Sequence, residues 1–362
     1  MKKLLFWLLV GCIAQAHQIE MLKVAELNPT EAYAPQVFHQ GHLWLGKLDY
    51  SSGKNKYHLE VRTGDGERVV NSHPVKHSLE HLYVFDENHI LATGKSYTEA
   101  GWVTYYSLAS LNKGKIQLET HALPSQFMVQ EFAGGPERLF FNETGDRSVV
   151  QLDASGAQLL PLVISGPGAM NVIGNSLFVL ERRSFKLGDE DIVKVDLQTM
   201  KVKRVFNDER AGIVSMLPLK GRETLAATEV LGQRILFIDT RDNRLEEVIP
   251  LKGTHPRTLA QWGNCLVVGS EAPLRLTVID INHPKNRPVA QFDLEKYSSD
   301  LPSIRNLSVN PETASLFLRS TGFVDESPSA KNSVYRFSHS SWLPACDDHS
   351  GNTLSHRNQK TK

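Results

Sequence analysis

His73, His77 and His81 fall at i, i+4 and i+8, with His89 further on. On a helix that spacing would line up three imidazoles, an arrangement suited to a transition metal. Pro74 and the strand-like residues around it point instead to a loop, where spacing fixes no geometry. The three histidines are therefore metal-ligand candidates without an assigned metal, and the cofactor is unknown. Other residues offer contact chemistry rather than acid–base spacing. Tyr97 and Trp102 would make an aromatic surface, Glu181-Arg182-Arg183 with Asp189-Glu190-Asp191 a mixed-charge rim, and Asp325-Glu326 a second polar edge. There is no Gly-x-Ser-x-Gly elbow, His-Glu-x-x-His, phosphate loop, Gly-x-Gly-x-x-Gly after a first strand, or Cys-x-x-Cys-His. No catalytic residue is assigned.

The elements that must position these residues repeat. A strand-like run, a Gly- or Asn-bearing turn and a second apolar run recur seven times, centred on Leu43, Ile90, Leu139, Leu177, Leu225, Leu266 and Leu316. The steps of 47, 49, 38, 48, 41 and 50 residues match one four-stranded propeller blade each. Phe38-His39-Gln40-Gly41-His42-Leu43, Ile173-Gly174-Asn175-Ser176-Leu177 and Trp262-Gly263-Asn264-Cys265-Leu266 each read strand, tight turn, strand. The sequence predicts an all-β chain forming one seven-bladed β-propeller over residues 17–346.

A further apolar strand follows each anchor, ending near Val61, Leu108, Leu152, Val195, Ile238, Ile279 and Phe337. Three of these carry an Asp next, in Val195-Asp196, Ile238-Asp239 and Ile279-Asp280, as if to start the turn to an outermost strand. The pairing of a Leu-Phe-Val strand with a later Val-Asp-x-x-Thr strand at this period resembles the YVTN-type bacterial β-propellers, though no literal Tyr-Val-Thr-Asn occurs. No Trp-Asp closes a blade, so WD40 repeats fit less well. The resemblance implies a repeat scaffold whose ligands vary.

Met1-Lys2-Lys3, the apolar run Leu4 to Val10 and Ala14-Gln15-Ala16 read as a secretory signal over residues 1–16, placing the protein in the periplasm or outside the cell. The alternative is a lipobox at Leu9-Val10-Gly11-Cys12, which would anchor the chain through Cys12. Loss of Lys2 and Lys3 from a chain with 40 basic and 40 acidic residues leaves a slight acidic excess, and no basic stripe suits nucleic acid. No apolar run in the body is long enough to span a bilayer. In an oxidising compartment Cys265 and Cys346 are a disulfide candidate, or else two separate thiols. Residues 347–362 are polar and without periodicity, and are expected to be disordered.

Blade seven lacks a fourth strand in sequence order, and the run Ile19 to Leu27 is the candidate to supply it and close the ring. The separation of second and third strands is 13 residues in blades three, five and six, 18 in blades one, two and four, and 21 in blade seven. That predicts enlarged loops on one face at Asp49 to Lys56, Lys95 to Gly101, Glu181 to Asp191 and Thr321 to Lys331. The leading reading is a non-catalytic exported propeller that binds or scaffolds a protein or envelope component. The alternatives are a propeller hydrolase or lactonase-like enzyme with a channel metal, and a periplasmic redox or metal accessory protein.

Overall fold

The computed structural model describes residues 21–27, 35–49, 55–99, 101–124, 129–143, 148–153, 156–162, 164–182, 188–208, 211–282, 286–296, 303–320 and 332–338. The expected signal and Cys12, the loop over 321–331, Cys346 and the polar tail lie outside them. Seven antiparallel four-stranded sheets follow one another around a ring. They span residues 36–75, 81–122, 129–159, 167–207, 213–250, 255–293, and 306–337 joined by 21–27. Within a blade the strands run outward in chain order, and the first strands of neighbouring blades face one another around the axis.

Every predicted anchor lies in a second strand and every predicted follower in or at the end of a third. The turns use the chemistry the sequence shows. Gln40 and Gly41 both have positive φ, 49° and 71°, so the two-residue hairpin of blade one turns with the twist of its strands. Asp196 accepts hydrogen bonds from the Gln198 and Thr199 amides at 3.0 and 2.8 Å, and Asp239 does the same for Arg241 and Asp242 at 2.8 and 2.9 Å. These amide bonds hold both carboxyls below the usual Asp range.

The core is shared between blades. Seven apolar clusters each fill the seam between two neighbours, including Ile90 with Trp44 and Val61 between blades one and two, and Leu91 with Phe132 and Phe141 between two and three. Met21–Leu27 pairs antiparallel with Asn332–Phe337, so the closing strand is where the sequence places it. Arg62 of blade one donates to the Val24 carbonyl at 2.9 Å, and Gln36 donates to Ser308 Oγ at 3.2 Å and to the Phe317 carbonyl at 3.1 Å. The join is thus sealed by side chains as well as by the ladder. Among the described residues no helix is long and apolar enough to cross a membrane.

Candidate binding face on blade two

Blade two is the tall blade. Its second and third strands, Ile90–Thr98 and Gly101–Asn112, have 9 and 12 residues, against 5 and 6 in Leu139–Glu143 and Ser148–Asp153 of blade three. The residues expected to form a loop from Lys95 to Gly101 instead extend the ladder, which runs to the Thr98–Gly101 pair. At about 3.3 Å per residue, four extra residues carry its ladder about 13 Å past the last described pair of blade three, Glu143 with Ser148. The outer strand Lys115–Ala122 stops pairing at Tyr105, so Trp102 stands clear of it as well.

Tyr97 and Trp102 are directly paired across this hairpin, with rings 5.4 Å apart and 76° from parallel. They are 72% and 52% exposed, which makes this the main uncovered aromatic surface among the described residues. Tyr106 and Leu108 of the same strand pack toward blade three. Strand alternation puts Trp102 on that side too, above a blade too short to cover it. Tyr106 stacks on His121 at 5.0 Å lower on this wall.

A crossing holds the foot of the hairpin. The link from blade one passes against Gly94, with the Ser78 amide donating to the Lys95 carbonyl at 2.9 Å and the Lys95 amide to Ser78 Oγ at 2.8 Å. Lys95 also pairs with Glu80 at 3.3 Å. His77 lies in this link, 1% exposed and stacked on Tyr105. Its Nδ1 donates to the Ser78 carbonyl at 2.6 Å, so Nε2 accepts from the Ser107 hydroxyl at 3.2 Å. Both ring nitrogens are thereby used.

Burial lowers the His77 pKa below its ordinary value. The unfolded chain takes up a proton near pH 6.5 while the folded chain resists it, so stability is fully present above that pH and falls as pH drops below it. We expect chemical denaturation to show stability falling as pH drops below about 6.5, with this residue contributing to the slope. A His77→Asn variant, which keeps the donor to Ser78, should flatten that slope; an unchanged slope would contradict the assignment.

His73 and His81 do not join His77. His73 and Pro74 lie on the outer strand Val69–Val75 rather than in a loop, and an edge strand tolerates the proline. His81 opens the inner strand of the next blade and stacks on Tyr83. Among the described residues no three His, Cys, Asp or Glu side chains are grouped to hold a metal ion.

The expected rim of blade four is partly interior. Glu181 is buried and accepts from the Ser165 amide at 3.0 Å and from Arg204 at 3.1 Å. Arg204 also pairs with the buried Asp191 at 2.9 Å. Burial pushes the Glu190 carboxyl up, against the pull of the Gly188 and Asp189 amides. Arg182 is exposed, while Arg183, Asp325 and Glu326 lie outside the described residues.

Glu181 belongs to a repeated feature that the sequence reading missed. Glu143, Glu229 and Glu271 end second strands and Glu181 stands one residue before the end of its own, all four or five residues after the anchor leucine. Glu229 takes the Gly212 amide at 3.1 Å, just as Glu181 takes Ser165, so each ties the segment that leads into its own blade. The signal was present in Leu-Phe-Phe-Asn-Glu, Leu-Phe-Val-Leu-Glu and Leu-Ala-Ala-Thr-Glu. Cys265 is buried and disulfide-bonded, and its partner lies outside the described residues.

No protein-family model and no curated protein matches the chain by sequence. Solved structures match it by shape. A chain of a mitotic checkpoint complex crystal structure superposes with TM-score 0.62 at 8% identity, over 87% of this chain and 92% of that one. U3-55K gives 0.63 at 10% identity over 88% and 98%, and virginiamycin B lyase from Staphylococcus aureus 0.57 at 13% over 89% and 99%. What is shared is the propeller fold. These neighbours differ in function, so the ring supports several uses and the site must be argued from its own residues.

Proposed function

We propose that this propeller is an exported, non-catalytic binding or scaffold module for a protein or envelope component, and that the blade two hairpin is its principal contact. The observation that carries this is the exposed, perpendicular Tyr97–Trp102 pair on a hairpin stiffened by a continuous ladder. Tyr and Trp dominate interface energetics because they bury much area at little entropic cost. The Val-Asp-x-x-Thr strands support a relationship to the YVTN-type repeats. The closing strand starts beside Phe337, at the end of the ring opposite the hairpin. The strand that follows a leader or a lipidated Cys12 thus begins on the face of the ring opposite Tyr97 and Trp102.

The test compares cross-linked envelope partners of the wild type with those of a Tyr97→Ser/Trp102→Ser double variant. Both side chains are exposed, so the fold should be kept. Loss of two aromatic anchors should weaken a specific complex at least about tenfold. A control Leu245→Ser variant, exposed on an outer strand elsewhere, should retain it. Equal capture by wild type and double variant would remove the hairpin from the interface.

A further inference from the structure

The short third blade has a second consequence, on the opposite face. The 38-residue step between Leu139 and Leu177 is the smallest of the six. Beneath blade three, between blades two and four, lies a cavity of about 850 Å³ walled by Tyr83, Phe85, Phe132, Met170 and Val172. That is within the range of small-molecule sites. Its wall is held in place. Tyr83 donates to the Glu131 carboxylate at 2.8 Å, and the buried Asn142 accepts from the Glu131 amide at 2.8 Å while donating to the Pro167 carbonyl at 2.8 Å. Three blades are thereby linked. Val84, on the same lining, is 50% exposed although it belongs to an inner strand.

The lining also carries one charge of each sign. Glu137 and Arg138 sit on the turn after the inner strand of blade three, both exposed. Neither makes an ion pair among the described residues. The turn itself is tight: the Gly135 amide donates to the Arg138 carbonyl at 3.0 Å, and Gly134 has φ of 111°, where any Cβ would come 2.2 Å from that carbonyl. The two side chains are therefore presented from a fixed backbone.

We propose that this cavity binds a small zwitterion with an apolar body, such as a hydrophobic dipeptide or amino acid. The aromatic and methionine wall takes the side chains, Arg138 the carboxylate and Glu137 the ammonium. A simple anion or cation would satisfy one rim charge and be repelled by the other; a zwitterion satisfies both. A peptide tail of another protein would offer one terminus only.

Calorimetric titration of the full mature protein with leucyl-phenylalanine, its N-acetyl form, its C-amide and the doubly capped form distinguishes these cases. The free dipeptide should bind in one-to-one ratio and at least about fivefold tighter than any capped form. Arg138→Gln and Glu137→Gln should each erase the preference for their own terminus, and Val84→Trp should block all binding by filling exposed space. The Tyr97→Ser/Trp102→Ser variant should bind normally, since its substitutions lie on the other face. Equal binding of capped and free forms, binding that Val84→Trp leaves intact, or no saturable binding of the free dipeptide would each overturn the proposal.

Discussion

Replacing Gly94 by alanine is expected to cost about 3–5 kcal/mol of stability, near the top of the range for single substitutions. A Cβ there would lie 1.7 Å from the Ser78 carbonyl oxygen, 2.5 Å from its carbon and 3.0 Å from His77 Nδ1. The first two are backbone atoms. They cannot swing aside, because the Ser78 amide, its hydroxyl and its carbonyl are bonded to the Lys95 carbonyl, the Lys95 amide and His77. Relief needs the link to lift off the sheet, which adds about 1 kcal/mol for each hydrogen bond lost to the overpacking itself. Gly269 supplies a contrast, since its Cβ would meet the Thr258 and Ile304 methyl groups at 2.7 and 2.8 Å. Those are side-chain atoms, so Gly269→Ala should cost about 1–3 kcal/mol. Urea midpoints at constant slope measure both. A Gly94→Ala protein within 1 kcal/mol of wild type would mean that the link does not cross there. The same variant should loosen the Tyr97–Trp102 hairpin, because Gly94 is where that ribbon is clamped to the ring.

The ring was legible because its determinants are local. Alternating apolar residues, positive-φ turn residues such as Gly41, and aspartates such as Asp196 that cap their own turns act within a few positions, so one pass along the chain registers each blade. Closure by Met21–Leu27 was legible by elimination, as a strand without a blade beside a blade without a strand. The site was less so. The spacing of Ile90 and Leu108 reveals extra residues but not whether they leave the sheet or lengthen it. Here continuous pairing through Tyr97 and Trp102 lengthens it, and their exposure follows from the shortness of a different blade. Glu181 shows the opposite failure. Its charge beside Arg182 suggests a solvated rim, yet it is buried by the Ser165 segment, which reaches it through the fold rather than along the strand. The histidine series failed for a similar reason, since outer strand, link and inner strand separate residues that are four apart in sequence.

Glu229→Ala should destabilise the propeller by about 2–4 kcal/mol, because it removes a buried carboxylate from a half-buried ion pair and leaves a buried amide without an acceptor. The carboxylate is fully buried and accepts three hydrogen bonds: the Gly212 amide at 3.1 Å, the Gly232 amide at 2.6 Å and Arg234 Nε at 2.5 Å. Truncation strands the buried Gly212 amide, removes the acceptor of the Gly232 amide, and leaves Arg234 only Asp208, at 2.6 Å. Glutamine is not a remedy. Its carbonyl oxygen can still take the amides on one side, but its NH₂ then faces the guanidinium, donor against donor. The informative variant is therefore Glu229→Gln with Arg234→Met, which removes the charge and its partner together and keeps the amide acceptor. Replacing both members of a buried pair is far cheaper than breaking it, so the double variant should regain most of the loss shown by Glu229→Gln alone. A thermodynamic cycle on the four proteins reads the coupling directly. Strong coupling would establish that the buried Glu229 carboxylate is held ionised by Arg234; additive effects would mean that the two side chains act independently, Glu229 through the Gly212 and Gly232 amides alone.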